Sequence, residues 1–456
     1  MLTNPDQRTD KKLVFVTLGC RVNQFESDGL CQAGRKAGYG LAKSGETADL
    51  VIFNTCSVTG ESERQARQAI RRAVREHPGA RIVITGCYAQ RDPETLAQIP
   101  GVTLVLGNTE KNRLFSLLDN PDPDPDPDPD PDPDPDPDRK TILDMMPAER
   151  SPGVQDRARA YLHAQNGCDA GCTFCVIPAL RGPSQSIPLE RILVQAQEQL
   201  ARGFQELVLT GINLGSYGRD LPLPDTLSHL VGALLELPSL GRLRLSSIAP
   251  HDLDTEFMTR LLEHPRFCPH LHLSIQSGDN LILKRMRRPY GREEVLATLT
   301  AIRARRPEVI FGADIIVGFP TESEAAFINT LELIQEGNIA LPHIFRYSNR
   351  PGTPAARIPA RQHVPPAEIR NRAERLRTAA RSVLLDIFRQ HAGQVVQVLV
   401  ETVANGNAQG KTGGFLPLTF PATDISLIGK LIPVEVVGMN HSDDGLTGKS
   451  WINKPA

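Results

Sequence analysis

The chain has 456 residues, of which 40% are hydrophobic and 23% are charged, and its formal net charge is −2. This length predicts two or three domains, each large enough for its own hydrophobic core. Eight cysteines are too few for a disulfide scaffold in a chain of this size. No apolar run approaches the roughly 18 residues of a membrane helix, and the polar first dozen residues lack a signal-peptide core. We therefore expect a cytoplasmic, reducing location and no membrane partner.

Residues 11–118 are the first predicted domain, an open parallel α/β sheet. Apolar, β-rich runs at LVFVTLGC, DLVIFNTC, RIVITGC and VTLVLG alternate with amphipathic stretches such as ESERQARQAIRRAVREH. Three of the predicted strands end in a cysteine, namely Cys20, Cys56 and Cys87. Because the carboxyl ends of parallel strands lie at one edge of a sheet, these thiols are expected to converge. Converging thiolates suit an iron–sulfur cluster, whereas a single buried cysteine is commonly structural.

Residues 119–156 are a predicted linker that contains nine consecutive Pro-Asp dipeptides, from Pro121 to Asp138. Proline blocks helix and sheet pairing, and carboxylates at every second residue repel one another, so we expect an extended spacer. The repeat carries nine negative charges, so the rest of the chain has a net charge of +7 against −2 for the whole. A modestly basic body suits a nucleic-acid partner.

Residues 157–386 are the second predicted domain. It repeats strand and helix at AYLHAQNGC, ELVLTGINLG, RLRLSSI, HLHLSIQSG, IFGADIIVGFP and LPHIFRYS. Six β/α units are too few to close an eight-fold barrel, so they predict an open, partial barrel with its site at the carboxyl edge of the strands.

A cysteine-rich loop follows the first strand of this domain. Cys168, Cys172 and Cys175 have the spacing C-x3-C-x2-C, which can hold one [4Fe–4S] cluster and leave one iron open for a substrate. The alternatives are a zinc knuckle or a structural disulfide. Zinc sites favour C-x2-C pairs with a fourth ligand close by, whereas the nearest histidine, His163, lies in a predicted strand. The sequence therefore favours an iron–sulfur cluster.

The later strand ends of the same domain carry polar or glycine residues. Gathered at one edge beside the cysteine loop, such groups are candidates for holding a small cofactor. These candidates are Thr210, Gly211, Asn213, Ser246, Gln276, Asp314 and Arg346.

Residues 387–456 are the third predicted domain. Short β-rich runs at VVQVLVETV, GFLPLTF and LIPVEVVGM, separated by glycines, predict a small β-barrel. Small barrels of this kind often bind RNA. The alternative is a module for oligomerisation or capping.

The motifs along the chain resemble the methylthiotransferase family of radical S-adenosylmethionine (SAM) enzymes over nearly its whole length. The matching stretches are TLGCRVNQFES, NTCSVT, ITGCYAQ, NGCDAGCTFCVIP, TGINLGSYG, SIQSGDNLILKRMRRPY, DIIVGFPTESE and FRYSNRPGTPAA. The family combines an N-terminal cluster domain, a radical SAM barrel and a C-terminal TRAM domain in that order. The Pro-Asp repeat is no part of the family pattern, and the TRAM-like segment carries less recognisable motif than the rest.

The resemblance implies two [4Fe–4S] clusters and SAM as cofactors. Cys168, Cys172 and Cys175 would hold the cluster that binds SAM, and the three strand-end cysteines would hold an auxiliary cluster. The strand-end polar groups would then contact the methionine, ribose and adenine of SAM. The implied chemistry is radical replacement of a C–H bond by C–SCH3, with reductive SAM cleavage at one cluster and sulfur delivered from the other.

The family has branches that modify isopentenyladenosine in tRNA, threonylcarbamoyladenosine in tRNA, or an aspartate of a ribosomal protein. The isopentenyl branch reads GCQMN near its first cysteine and the ribosomal branch GCPKN, whereas this chain reads GCRVN and looks like the threonylcarbamoyladenosine branch. The resemblance thus implies methylthiolation of C2 of N6-threonylcarbamoyladenosine at position 37, beside the anticodon. The alternatives are the other two substrates, or a non-catalytic iron–sulfur protein that binds RNA.

The partners implied are the anticodon loop of tRNA and an external electron donor of the flavodoxin or ferredoxin type, while the oligomeric state stays open. Several arginines next to the site motifs could contact phosphates or the threonylcarbamoyl carboxylate, although many exposed arginines only solvate a surface. They are Arg21, Arg181, Arg285, Arg287 and Arg288.

Overall fold

The computed structural model describes residues 11–43, 45–119 and 158–450. The predicted linker and its Pro-Asp repeat lie outside these residues, except for residue 119. The described residues divide into two compact units, one of 11–119 with Ala179–Gly182 and one of 158–178 with 183–450. No helix within these residues has the length and apolar character needed to cross a membrane.

The first unit is built on a five-stranded parallel sheet with the strand order β2-β1-β3-β4-β5. The strands are β1 (Lys12–Thr17), β2 (Gly40–Leu41), β3 (Leu50–Thr55), β4 (Arg81–Gly86) and β5 (Val102–Val105). The helices are α1 (Arg21–Lys36), α2 (Gly60–Glu76), α3 (Cys87–Arg91), α4 (Pro93–Ala97) and α5 (Leu114–Asp119).

The central strand β3 is buried at every position because helices cover both faces of the sheet. Val51 packs on one face in the same core as Ile70 of α2. Ile52 points to the other face, into the core that contains Leu30 of α1. Each fully buried side chain of this size contributes about 1.5–3 kcal/mol, so two-sided burial fixes the register of β3.

The second unit begins with two four-stranded sheets, ordered β7-β6-β8-β9 and β10-β11-β12-β13, with an isolated bridge from Leu243 to Phe267 between them. Its six longer strands run parallel within their sheets, as expected for a partial barrel of six β/α units. The strands are β6 (Ala160–Asn166), β7 (Gln185–Ser186), β8 (Glu206–Gly211), β9 (Arg242–Leu245), β10 (Ser247–Ile248), β11 (His270–Gln276), β12 (Ile310–Val317) and β13 (Ile339–Arg346).

Helices follow most of these strands, and several begin at a side-chain cap. Thr226, Asp279 and Ser323 each accept a hydrogen bond from a backbone N–H three residues later. The helices are α6 (Ile177–Arg181), α7 (Leu189–Ala201), α8 (Leu227–Leu235), α9 (Asn280–Arg285), α10 (Arg292–Arg305), α11 (Glu324–Glu336) and α12 (Pro366–Gln390). The predicted domain boundary at residue 386 therefore lies inside α12.

A closed five-stranded β-barrel with the order β14-β15-β16-β18-β17 ends the second unit. Its strands are β14 (Val395–Ala404), β15 (Asn407–Thr412), β16 (Pro417–Pro421), β17 (Leu431–Met439) and β18 (Leu446–Ser450). The predicted α/β fold class with a C-terminal small barrel is confirmed. The polar strands β15 and β18 had no hydrophobic pattern that would predict them.

Arginines gathered around a buried carboxylate, that of Glu206 at the start of β8, connect the β/α strands to the barrel. Glu206 accepts hydrogen bonds from Arg159 and Arg244 at 2.9 Å and from Arg242. Arg242 also donates to the backbone oxygen of Gln397 in β14, at 3.1 Å. Burial alone raises the pKa of Glu206, but the three guanidinium groups outweigh it and hold that pKa well below its usual range.

Candidate active site

The three strand-end cysteines lie on neighbouring strands of the first sheet. Cys20 caps the N-terminus of α1, Cys56 directly follows β3, and Cys87 directly follows β4. The order β1-β3-β4 makes these three strands adjacent. Gly19, at φ +118°, lies against this group, since a Cβ on it would be 2.7 Å from the Cys56 Cβ. The structure thus brings together thiols that are far apart in the sequence.

Burial raises the pKa of the Cys56 thiol to about 12, and the neighbouring thiols of Cys20 and Cys87 add to that increase. Without a metal this thiol is therefore protonated at neutral pH. A cluster must displace such protons when it binds, because the thiolate is the ligand. Three convergent thiols in a mostly buried site fit the three-thiolate ligand set of an iron–sulfur cluster.

A buried network of charges lies beside Cys20. The Cys20 thiol donates to the side-chain oxygen of Asn23 at 3.3 Å, and Arg181 donates to the same oxygen at 3.0 Å. Arg181 and Lys111 in turn donate to the carboxylate of Glu26, at 2.8 Å and 2.9 Å. Burial raises the pKa of Glu26, but Arg181 and Lys111 outweigh it and hold that pKa well below its usual range. Two cations and one carboxylate leave an excess positive charge next to the thiols, which favours an anionic cluster there.

Sequence reasoning missed Asn23, Glu26 and Lys111 as parts of this site. Asn23 and Glu26 lie in the stretch TLGCRVNQFES, which is one of the motifs that carry the family resemblance. Their spacing from Cys20 along α1 could have placed them on one side of the helix. Nothing local marks Lys111, because it reaches Glu26 across 85 positions of sequence.

The other cysteine triplet occupies the loop after β6, and all three of its thiols are partly buried. The backbone N–H of Ala170 donates to Cys168 Sγ at 3.4 Å, and Arg288 Nη1 donates to Cys172 Sγ at 3.3 Å. Burial raises the pKa of the Cys175 thiol to about 12, and Cys172 and Cys168 push it in the same direction. A guanidinium and a backbone N–H directed at sulfur stabilise charge on these atoms once thiolates form.

Two of the candidate cofactor residues at or just after the end of β8 already form hydrogen bonds within the protein. Thr210 Oγ1 donates to the backbone oxygen of Leu162 at 2.9 Å, so this hydroxyl links β8 to β6. The backbone N–H of Asn213 donates to Gln165 Oε1 at 2.7 Å. A Cβ at Gly211 would come within 2.8 Å of Leu214 Cδ2, so glycine at this position leaves room for the Leu214 side chain.

The other candidate cofactor residues differ in their hydrogen-bond partners and in their position along the strands. The Ser246 hydroxyl is buried and has no hydrogen-bond partner within the described part of the chain, as expected of a group that awaits a ligand. Gln276 ends β11 at φ +76°, a conformation that costs energy in a non-glycine residue and is frequent at functional sites. Arg346 ends β13. Asp314 lies three residues before the end of β12 and contacts two histidines.

The five candidate arginines differ in their exposure and in the groups that they contact. Arg181 is bound to Glu26, and Arg288 to Cys172 and to the backbone oxygen of Ser274, so both serve the cysteine sites. Arg285 and Arg287 are exposed, and Arg21 is partly buried at the first position of α1. The exposed guanidinium groups remain the candidates for RNA phosphates.

The comparisons with known proteins identify the class first. Residues 162–334 match the radical SAM superfamily, and residues 12–107 match the uncharacterized protein family UPF0004. The radical SAM methyltransferase TsrM from Kitasatospora setae, solved with cobalamin and a [4Fe–4S] cluster, is similar at a TM-score of 0.54. That similarity covers 88% of this chain and 77% of TsrM with 14% sequence identity, so it shows the fold alone.

Relatives that are similar over nearly the whole chain then indicate which family of radical SAM enzymes this is. The threonylcarbamoyladenosine tRNA methylthiotransferase MtaB of Rickettsia prowazekii is 38% identical over 96% of this chain and 98% of its own. MtaB of Bacillus subtilis is 33% identical over 93% of both chains. The tRNA-2-methylthio-N(6)-dimethylallyladenosine synthase of Roseobacter denitrificans is 32% identical over 94% of this chain and 96% of its own. The chain belongs to the radical SAM methylthiotransferase family. It is a tRNA-modifying enzyme that uses SAM and [4Fe–4S] clusters.

Proposed function

We propose that this enzyme methylthiolates C2 of N6-threonylcarbamoyladenosine at position 37 of tRNA, giving 2-methylthio-N6-threonylcarbamoyladenosine. The observation that carries the proposal is the 38% identity over 96% of the chain to an enzyme named for that substrate, against 32% over 94% for one named for dimethylallyladenosine. The GCRVN motif at the first cysteine favours the same branch.

The two cysteine triplets receive different roles in this proposal. Cys168, Cys172 and Cys175 hold the cluster that binds SAM, and the strand-end triplet of Cys20, Cys56 and Cys87 holds the auxiliary cluster. When bound, the first cluster supplies the electron that cleaves SAM and the second supplies the sulfur. The C-x3-C-x2-C spacing within one loop supports the first assignment, because three thiolates from one loop leave the fourth iron of a [4Fe–4S] cluster free to bind a ligand.

The protein's own groups then hold the cofactors and exclude water. Arg288 places a positive charge beside Cys172, and Arg181 with Lys111 does so beside the strand-end triplet. Among the predicted SAM contacts the hydroxyl of Ser246 is the best supported, because it is buried and has no hydrogen-bond partner among the described residues. The side chains of Thr210 and Asp314 already have protein partners, so their part in SAM binding rests on the sequence prediction alone.

The partner is the anticodon loop, where a base can leave the stack at low cost because the loop is single-stranded. A net charge of +7 outside the Pro-Asp repeat supports attraction to RNA phosphates. We further propose an electron donor of the flavodoxin or ferredoxin type and a cytoplasmic location, in keeping with a tRNA substrate and oxygen-sensitive clusters.

Mass spectrometry of tRNA nucleosides from cells that lack this protein tests the substrate. The expected result is loss of 2-methylthio-N6-threonylcarbamoyladenosine, accumulation of the unmodified threonylcarbamoyl nucleoside, and no change in the dimethylallyl nucleosides. The wild-type gene and a Cys31→Ala variant should restore the modification, because Cys31 is a buried thiol on α1 outside both triplets. Loss of the methylthiolated dimethylallyl nucleoside instead would assign the enzyme to the other tRNA branch.

A further inference from the structure

A cluster of three potential ligands, none of them a cysteine, lies on neighbouring strands of the second unit. It consists of His272 on β11, Asp314 on β12 and His343 on β13. His272 Nε2 lies 3.0 Å from Asp314 Oδ1, and His343 Nδ1 lies 3.3 Å from the same oxygen. The three ligand atoms all lie within 4.8 Å of one another. Ligand atoms that share one metal ion at about 2.0–2.2 Å have this kind of spacing.

The strand register produces this convergence. Asp314 stands directly opposite His343 in the pairing of β12 with β13, and His272 stands opposite Gly312 in the pairing of β11 with β12. Residues 312 and 314 share a face of β12, since side chains alternate along a strand. A Cβ at Gly312 would lie 2.4 Å from His272 Nδ1, so glycine at this position leaves the room that the imidazole needs.

The chemistry of the three groups suits a transition-metal ion. Two imidazoles and one carboxylate are the ligand set of many iron and zinc sites that keep coordination positions open. Both imidazoles approach a single oxygen of Asp314, so three ligand atoms point to one small volume.

The three side chains of this cluster differ in how much of each is exposed to solvent. The side chain of His272 is 5% exposed, that of Asp314 19%, and that of His343 63%. A metal ion can therefore enter beside His343, and the positions that the protein leaves open would face the same side. We propose that His272, Asp314 and His343 bind one divalent transition-metal ion, with its remaining positions available to water or to a carboxylate or hydroxyl oxygen of a ligand.

Anomalous diffraction locates the ion directly. Crystals of the cluster-loaded enzyme, grown anaerobically with Zn²⁺, are measured on both sides of the zinc absorption edge. The expected result is a zinc peak within bonding distance of all three residues, separate from the iron peaks. Absence of this peak, or zinc found at cysteine positions alone, overturns the proposal and leaves a hydrogen-bonded group of two histidines and an aspartate.

Calorimetric titration of Zn²⁺ into the same cluster-loaded protein supplies the second measurement. Asp314→Asn keeps the shape of the side chain, and His343→Gln changes an exposed position, so both variants should fold. Each should weaken Zn²⁺ binding by at least about tenfold, since even residues that only support a metal ligand contribute 10–100-fold. His229→Gln is the matched control, because His229 pairs with Asp225 at 2.7 Å but has no second imidazole. Equal Zn²⁺ affinity in the wild type and Asp314→Asn overturns the proposal.

Discussion

The two cysteine triplets show two ways of bringing three thiols together in a fold. One lies within a single loop, residues 168–175, so its spacing is set by eight consecutive residues. The other comes from the ends of three strands, residues 20–87, and its thiols meet only when β1, β3 and β4 lie side by side. The loop can preserve its ligand set through local disturbance, whereas the strand-end triplet depends on the register of the whole sheet.

The charged groups beside the two cysteine triplets also differ in how deeply they are buried. The strand-end triplet is flanked by Glu26, Lys111 and Arg181, whose side chains are at most 1% exposed. The loop triplet is partly buried, and its nearest cation, Arg288, is also partly buried. A buried charge acts more strongly than a screened one, so we expect the strand-end triplet to be the more sensitive of the two to loss of a neighbouring charge.

The largest expected effect comes from removing either triplet by replacing its three cysteines with alanine. Each variant should fall from about eight irons per chain to about four, since each triplet holds one four-iron cluster. The variant of Cys20, Cys56 and Cys87 should still cleave SAM to 5′-deoxyadenosine yet form no methylthio product. Anaerobic iron analysis, followed by chromatography of both products after incubation with dithionite, SAM and an anticodon stem-loop, provides the measurement.

Two outcomes would break that comparison. If the 168–175 variant kept all of its iron, the loop would not be a cluster site. If 5′-deoxyadenosine vanished with the strand-end variant but persisted with the loop variant, the roles of the two triplets would be reversed.

Arg181→Gln should produce the next largest effect, on the strand-end site. Removing one member of a buried ion pair leaves the other charge unpaired and destabilises a protein by about 3–5 kcal/mol. The auxiliary cluster should also shift to a lower reduction potential, because a nearby positive charge is lost. Anaerobic denaturation and redox titration followed by electron paramagnetic resonance measure the two effects.

Arg64→Gln is the control for Arg181, because Arg64 pairs with Glu61 at the protein surface, where solvent screens the ion pair. An unchanged auxiliary potential in Arg181→Gln would mean that the arginine only supports the fold. A shift in the potential of the loop cluster alone would contradict the assignment of Arg181 to the strand-end site.

A smaller effect is expected from acid, through Glu26. Its folded-state pKa is lowered, so its stabilising contribution is present above the ordinary pKa of about 4.5 and is lost as the pH falls below it. The free energy of unfolding should then drop by up to about 1.4 kcal/mol per pH unit through this one group. Glu26→Gln should lack that part of the pH dependence. Parallel slopes for wild type and variant in anaerobic thermal unfolding between about pH 6 and pH 3 would contradict this account.

The smallest effect is expected from deleting the Pro-Asp repeat, residues 121–138, between the stretches that carry the two triplets. The sequence predicts an extended, charged spacer, which would add neither core nor ligands, so turnover should stay within about twofold of the wild type. Turnover on an anticodon stem-loop, with iron content as the control, tests this. A collapse of activity with iron and folding intact would show that the repeat takes part in function.

Much of the secondary structure was predictable because hydrophobic periodicity is local. The apolar runs that end at Cys20, Cys56 and Cys87 correspond to β1, β3 and β4, and the 3.6-residue pattern after Cys56 corresponds to α2. Strands β15 and β18 escaped prediction because glycine, lysine and asparagine make up much of them, and the pairing that stabilises them comes from the closed barrel.

The groups around the sites were less predictable than the strands. Asp314 was predicted as a strand-end ligand for SAM, but the bounds of β12 place it inside the strand, and only the neighbouring strands bring His272 and His343 to it. Arg181 was predicted as a possible RNA contact, whereas the fold buries it against Glu26.

By itself the sequence determined the cysteine spacing of the 168–175 loop, the alternation of strands and helices, and the methylthiotransferase motifs. These features depend on spacings of a few residues, which the covalent chain fixes whatever the fold. Only the tertiary structure decided which charges surround Cys20, how the arginines around Glu206 reach the barrel, and that two histidines meet Asp314. Such contacts join residues tens to hundreds of positions apart, and sheet register and helix packing, rather than local sequence, set their distances.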